Sequence, residues 1–392
     1  MTHELESIRL APALQLLSEH GFDGMAEVME TLINAAMRLE RCLALQADPY
    51  ERREDRLGRA NGFKPKTVHT RLGRLELEIP QVRDGIAFYP AALERGQRSE
   101  RALKVAVAEM YVQGVSTRKM RAVMETLCGT QITSTQVSRA AQELDAELDR
   151  WRQRPLGPTP YLILDARYEK VRVDGAVRSC AVLIAVGIDA DRKRSVLGVS
   201  VSLSEAEIHW REFFDSLQRR GLSGVSLAVS DNHPGLRAAL TAVLPAVPWQ
   251  RCQFHLQQNA QQFASTQEIR SEIGADLRGV FAAQNRAEAD QRLRSAAAKY
   301  RARNPKLADW LEANVPESLT VFGFPPAFRR KLRTSNLLER LNREIKRRTR
   351  VATLFPNEAS FLRLVSAILI EVSEEWETGR VCLSHEDGGR SA

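Results

Sequence analysis

No stretch of this chain constrains its fold more than residues 161–252. It opens on YLILDARYEKVRV, whose aliphatic and aromatic residues predict a strand from Tyr161 to Val173. Asp174-Gly175 supplies a turn. Ser179–Ile188 and Ser195–Leu203 read as two further strands joined by the polar DADRKR. A helix is expected from Glu205 to Arg220, then a strand at Val225–Ser230, a helix starting near Pro234 and a short strand at Val247–Cys252.

Three antiparallel strands followed by alternating helix and strand is the order of a ribonuclease-H-like α/β fold. Residues 254–320 read as helical and rich in Ala and Arg, interrupting that order before a basic helix, SNLLERLNREIKRR. The catalytic core is therefore expected in two parts, 156–253 and 326–392, around an all-helical insertion at 254–325. Pro-rich residues 155–160 mark its upstream boundary.

Before that boundary, residues 1–100 read as a helical and basic hairpin region. Leu10, Leu14 and Leu17 have helical spacing, and KTVHTR and RLELEIP alternate around Leu72-Gly73 as a hairpin would. The basic run is either a solvated linker or a DNA contact. Residues 101–155 hold three helical pieces, with Ser116 as a candidate N-cap and breaks at Gly114 and Gly129. Two short helices with a tight link, the second beginning STQVSR, look like a helix-turn-helix DNA-binding domain.

Three acids sit in distinct settings. Asp165 lies in the first strand, Asp231 ends VSLAVSD, and Glu339 opens the basic helix. Each alone has an ordinary explanation: a polar strand exit, a cap for the helix at Pro234, and an acid favouring a helix dipole. Together they match a common arrangement for two Mg2+ (or Mn2+) ions, because hard cations take oxygen ligands and a metal pair assists phosphodiester chemistry. Leu338, Leu341 and Ile345 make the apolar stripe of this basic helix, which a C-terminal helix is expected to follow, and Glu339 aligns with Asn342, Arg343 and Lys346 along one edge. From Arg329 to Arg350 there are ten Lys/Arg and two Glu, an imbalance that suits a DNA-facing surface.

Cys252 and His255 have the spacing of half a zinc site, but no second pair stands nearby in sequence, so structural zinc is not expected. His255 is instead a candidate for DNA contact or proton transfer, or a satisfied core histidine. The formal charge of +8 favours a polyanionic partner, and the five scattered cysteines argue for a reducing compartment. MTHELESIRLAPALQLL lacks the pattern of a signal peptide, and the apolar run Ala181–Ile188 is too short to span a bilayer. The expectation is a cytoplasmic, nucleoid-associated protein with no membrane partner.

The strings LILDARYEKVR, LAVSDNHPGL, RCQFHLQQN and LRTSNLLERLNREIKRRTR, in this order, resemble mutator-type transposases of bacterial insertion sequences. The resemblance continues upstream through GVSTRKM and NGFKPKTVHTRLGRLELEIP and covers nearly the whole chain. It implies a DDE recombinase with Asp165, Asp231 and Glu339 as metal-binding catalytic residues. Cys252 and His255 fall on the family's Cys-x-x-His signature, while the serine in RTSN replaces a more usual threonine. The implied partners are double-stranded DNA, as terminal inverted repeats and target, and further copies of the chain as a dimer or higher oligomer. The implied chemistry is hydrolysis at the element's end, freeing a 3′-hydroxyl that attacks a target phosphate. A nuclease that only cuts and a helix-turn-helix regulator are the alternatives; the regulator leaves the three acids without a shared purpose.

Overall fold

The computed structural model describes residues 2–51, 56–91, 93, 100–128, 131–350, 354–379 and 381–383, with backbone alone for 2–10, 101, 337 and 340. The break expected at Gly129 lies outside the described residues. Two compact units are formed, Met1–Glu143 and Leu144–Ala392.

In the first unit, helices α1 (Thr2–His20) and α2 (Met25–Leu45) precede an antiparallel hairpin, β1 (Arg59–Thr70) and β2 (Gly73–Arg83), which pairs Thr70 with Gly73. Alternation in RLELEIP puts Leu75 and Leu77 on one face, where they bury against Met37 of α2. The free edge of β2 is covered in the same contact: Glu76 and Glu78 donate their backbone N–H groups to Glu30 and Asn34 side chains, both at 2.8 Å. Leu14 and Leu17 of α1 are exposed.

Three helices complete this unit: α3 (Arg101–Val112), α4 (Thr117–Cys128) and α5 (Ser134–Gln142). Leu103, Val107, Met120, Met124, Val137 and Ala140 form their shared core. Ser116 accepts from the Lys119 N–H at 3.3 Å, as its position suggested. Thr133 and Gln136 make a reciprocal capping box that starts α5. Ser134, Thr135, Ser138 and Arg139 of α5 are exposed.

The second unit opens with α6 (Asp145–Arg152), held to a later helix by Arg363, which donates to Asp145 at 2.6 and 2.8 Å. A five-stranded mixed sheet follows: β3 (Tyr161–Val173), β4 (Ala176–Ile188), β5 (Arg194–Ser202), β6 (Leu227–Ser230) and β7 (Trp249–Arg251), in spatial order β5-β4-β3-β6-β7. Strands β3 to β5 are antiparallel neighbours, whereas β6 and β7 run parallel to β3. Strand β4 begins three residues earlier than the sequence suggested. Asp174 and Gly175 both adopt positive φ, 49° and 79°, and this tight turn starts pairing at Val173 and Ala176.

Helices α7 (Glu207–Arg219) and α8 (Pro234–Val243) cover one face, where Trp210, Phe213, Phe214 and Leu217 pack on Leu162, Leu164, Leu183 and Leu197. Burying each of these side chains contributes roughly 1.5–3 kcal/mol. Between β7 and the last helices come α9 (Gln253–Gln261), α10 (Gln267–Phe281), α11 (Arg286–Arg301), α12 (Pro305–Asn314) and α13 (Pro326–Leu332). Thr266, Asn285 and Asn304 cap α10, α11 and α12 through their side chains. The chain ends its described core with α14 (Asn336–Thr349) and α15 (Glu358–Thr378), whose Phe361, Val365, Ile368 and Leu369 are fully buried. No helix among the described residues is long and apolar enough to cross a membrane.

Candidate active site

Asp165 and Asp231 are brought level by strand register. Parallel β3 and β6 pair Ile163 with Val229; two residues further on stand Asp165, within β3, and Asp231, just past the end of β6. Adjacent strands are about 4.8 Å apart, so the two acids stand close together at the carboxyl end of β6, the end where open α/β sheets place their ligands. Asp231 does not cap the following helix: His233 holds the N-cap position of α8 and makes no side-chain cap bond. The ordinary explanation for Asp231 is not realised.

Asp165 is 8% exposed. Burial, with the Asp231 charge adding, pushes it from 3.8 up to about 7, although His255 pulls in the other direction. Its Oδ2 accepts from Asn342 Nδ2 of α14 at 2.7 Å. Arg167, two residues along β3, donates to the Asn342 carbonyl and to Glu169. Thr349 Oγ1 in turn donates to Glu169 at 3.2 Å, so β3 holds α14 at two levels.

Glu339 lies one turn before Asn342 on α14. Leu338, Leu341 and Ile345 are buried, as the amphipathic pattern required. Glu339 Oε1 and Asn342 Oδ1 are both buried without a hydrogen-bond partner. A buried carboxylate oxygen and a buried amide oxygen without donors are of the kind that a hard cation satisfies. Among the described residues, no three His, Cys, Asp or Glu side chains are gathered closely enough to hold one metal ion. Three carboxylates converging without a counter-charge would repel each other, and Asp165 is bonded to an amide instead.

A further carboxylate stands here that the sequence reading placed at the start of a helix. Helix α7 begins at Glu207, leaving Glu205 in the preceding loop, 8% exposed. Burial raises its pKa, His233 opposes that rise, and Asp231 adds to it. His233 Nδ1 is 3.7 Å from Glu205 Oε2. The close approach depends on Gly235: a Cβ there would lie 2.1 Å from the Glu205 carbonyl oxygen. The glycine of DNHPGL was the available signal, since a glycine in a first helical turn often marks close backbone contact.

Cys252 and His255 occupy the β7–α9 junction. The Cys252 N–H donates to the Ser230 carbonyl at 2.7 Å, and its sulfur accepts from Ser335 N and Oγ at 3.3 and 3.4 Å. Burial pushes the Cys252 thiol up, but interaction with His255 and Ser335 outweighs it and leaves the pKa below 9. Contact with that sulfur, opposed by burial and reinforced by Asp165 and Asp231, raises His255 from 6.5 to about 9. His255 is therefore cationic at neutral pH, a positive charge facing the acid pair. Its buried Nδ1 makes no well-formed hydrogen bond, unlike that of a satisfied core histidine.

The basic character of α14 divides in two. Arg348 is buried and pairs with Glu344 and Glu371, and Arg347 pairs with Glu344 at 2.7 Å. Arg329, before the helix, donates to the carbonyls of Phe324, Gln284 and Phe322. Part of the Lys/Arg excess thus holds the fold together. Arg343 and Lys346 are exposed.

A family model described as "Transposase, Mutator family" matches residues 2–379. The chain belongs to that family. This transposase is 55% identical, over 98% of its length and 99% of the relative's, to the transposase for insertion sequence element IS406 of Burkholderia multivorans. It is 43% identical to the transposase for insertion sequence element ISRM5 of Rhizobium meliloti, over 93% of this chain and 92% of the relative. It is 35% identical to the transposase for insertion sequence element IS256 in transposon Tn4001 of Staphylococcus aureus, over 90% and 91%.

Proposed function

We propose that this transposase moves an insertion sequence by cutting DNA at the element's ends and joining the freed 3′-hydroxyls to a target, using Asp165, Asp231 and Glu339. One observation carries the reading. Asp165, within β3, and Asp231, just past the end of β6, stand level, and α14 reaches Asp165 through Asn342 one turn beyond Glu339. The sheet order, with three antiparallel strands and two parallel ones beyond β3, supports a ribonuclease-H-like core interrupted by the helices from α9 to α12.

Asp165, Asp231 and Glu339, with the side-chain Oδ1 of Asn342, are the oxygens that would hold Mg2+ or Mn2+. Two such ions, when bound, supply the positive charge that activates the attacking oxygen and stabilises the leaving one. The chain's own residues orient those ligands: Arg167 fixes the backbone of α14, and Ser335 ties the start of that helix to Cys252. The His255 cation offsets negative charge as a phosphate approaches. Arg343 and Lys346 can contact phosphates along the exposed helix edge, and α4–α5, with a polar outer face on α5, is the helix-turn-helix that reads the ends. Holding two ends calls for a dimer or higher oligomer acting on nucleoid DNA in the cytoplasm.

The test is an end-bearing duplex incubated with protein and Mg2+, followed for nicked and joined products. Asp231→Ala and Glu339→Ala should each lose both products while keeping the wild-type melting temperature within a degree or two. Either variant cutting at near wild-type rate would remove that residue from the site. Nicking without joining would make the protein a nuclease.

A further inference from the structure

The first unit contains a cleft of about 1120 Å3 lined, among the described residues, by five arginines: Arg38, Arg41, Arg56, Arg59 and Arg83. Two carboxylates, Asp48 and Glu51, share the lining, and Glu51 is engaged by the Asp48 backbone N–H at 2.8 Å. The cleft exceeds the roughly 300–1,000 Å3 of typical small-molecule pockets.

The fold assembles these cations at its own expense. Arg38 and Arg41 are three apart on α2 and so share one helix edge. Arg59 and Arg83 are direct cross-strand partners at the open end of the hairpin. Like charges in such positions destabilise a strand pair. Burial lowers the Arg41 pKa, Cys42 opposes that fall, and Arg38 and Arg56 add to it by charge repulsion. Local anions compensate little: Arg38 pairs with Glu78 at 2.6 Å, Arg83 lies 3.7 Å from Asp84, and Arg56 Nε is buried without a partner.

The cluster is also built rather than accidental. The guanidinium carbons of Arg38 and Arg41 both stand 4.9 Å from the centroid of the Phe63 ring, which orients them. Phe63 is aimed there by a bulge in β1 between Ala60 and Phe63. Gly62, at φ 69°, occupies that bulge and offers its carbonyl to Arg41 Nη1 at 3.3 Å. A side chain at this φ would be strained, so the glycine sets the geometry of the cleft.

We propose that this arginine cleft between α2 and the open end of the β1–β2 hairpin is a binding site for the sugar–phosphate backbone of DNA. It acts without base readout, and it is separate from α5 and α14. Guanidinium forks fit phosphate oxygens, and a run of phosphates supplies the counter-charge that the fold lacks. The inference rests on the reading that this chain acts on DNA.

The experiment titrates the full-length protein against a fluorescein-labelled duplex of scrambled sequence and a single strand of the same length, each at several salt concentrations. Arg59→Ala and Arg41→Ala are compared with wild type and with Arg74→Ala, which removes an exposed charge outside the cleft. Each cleft variant should flatten the dependence of log K on log salt by about one unit, with Arg59→Ala melting at or above the wild-type temperature because it relieves the charge opposite Arg83. Arg74→Ala should leave the slope alone. If Arg41→Ala unfolds the protein, exposed Arg59 decides the matter. A larger loss on the duplex than on the single strand assigns the site to duplex backbone, and the reverse assigns it to an unpaired strand. Wild-type slopes in the folded cleft variants, or an equal change in Arg74→Ala, would overturn the cleft while leaving the transposase reading intact. A wild-type protein that binds neither probe would instead sink that reading and the cleft with it.

Discussion

Asn342 Nδ2 donates to Asp165 Oδ2 at 2.7 Å, joining residues 177 apart in the chain at the point where α14 meets the central strand. An amide rather than a cation is the partner of the most buried acid in the site. The burial of Asp165, with the Asp231 charge beside it, has a thermodynamic consequence. The folded protein holds Asp165 near pH 7, well above its ordinary 3.8, so its protonated form is the favoured one. The associated stability is complete below about pH 3.8 and is lost as pH rises through 7.

Asp165→Asn should therefore melt higher than wild type at pH 8 without divalent ions, and the gap should close toward pH 4. Each ~1 kcal/mol corresponds to roughly 2–4 °C in a unit of this size. Mg2+ should raise the wild-type melting temperature and leave the variant unmoved. Thermal melts at pH 4, 6 and 8, with and without Mg2+, check both. A wild-type protein at least as stable as Asp165→Asn at pH 8 would contradict the burial argument.

Gly235 and Gly279 should respond oppositely to alanine. In an open helical position the substitution gains roughly 0.5–1 kcal/mol, and Gly279 of α10 has nothing within 4 Å of an added Cβ. At Gly235 the new atom would meet the Glu205 carbonyl at 2.1 Å, so α8 must move away from the loop. Gly279→Ala should raise the melting temperature and Gly235→Ala should lower it. The latter should also lose cleavage, because Asp231 enters α8 through His233. Two variants shifting in the same direction would disprove the close approach.

Arg343→Ala and Lys346→Ala should each weaken DNA binding and reduce its salt slope by about one, whereas Arg348→Ala should act through stability. Arg348 is buried between Glu344 and Glu371, and removing one partner of such a network leaves carboxylates uncompensated. Salt-dependent titrations alongside thermal melts separate the two effects. Unchanged slopes for Arg343 and Lys346 would return that helix edge to solvent.

Metal analysis of the purified protein should find no stoichiometric zinc, and a chelator should leave the melting temperature unchanged. The sulfur of Cys252 is already occupied by two Ser335 donors, and no other cysteine or histidine completes a site with it among the described residues. His255→Ala should lower cleavage with little change in stability, and Cys252→Ser should be milder. One tightly held zinc per chain would make the pair a structural anchor instead.

The sequence made legible what depends on short-range pattern. Strand β3 fell at its observed bounds because YLILDARYEKVRV is bracketed by Pro160 and Asp174-Gly175. The stripe of Leu338, Leu341 and Ile345 packed as its spacing required. What escaped notice depends on contacts between distant segments. Glu205 looked like a first-turn acid, because nothing local shows that His233 and Gly235 will fold over it. Asn342 was aligned with Glu339 by helical spacing, but spacing could not reveal that its amide turns to Asp165. The Lys/Arg excess counted Arg348 as a surface charge, since pairing with Glu371 is invisible in a charge count.

The bonds around Cys252 bear on how this protein can change. Gln253 N–H donates to the Arg333 carbonyl at 3.0 Å, and two residues later Ser335 meets the Cys252 sulfur. The chain thus leaves the sheet and returns to it at a stitched doorway, and β7 also grips the far end of the excursion, where Gln250 Nε2 donates to the Ser318 carbonyl and Arg251 Nη1 to Asn314 Oδ1, both at 2.7 Å. Loop closure costs grow only with the logarithm of length, so α10 and α11, which lie between these anchors, can lengthen or shrink at small thermodynamic cost. Thr266 and Asn285 cap those two helices from within, so added length there leaves untouched the bonds by which Cys252 and Gln253 hold the approach to α14.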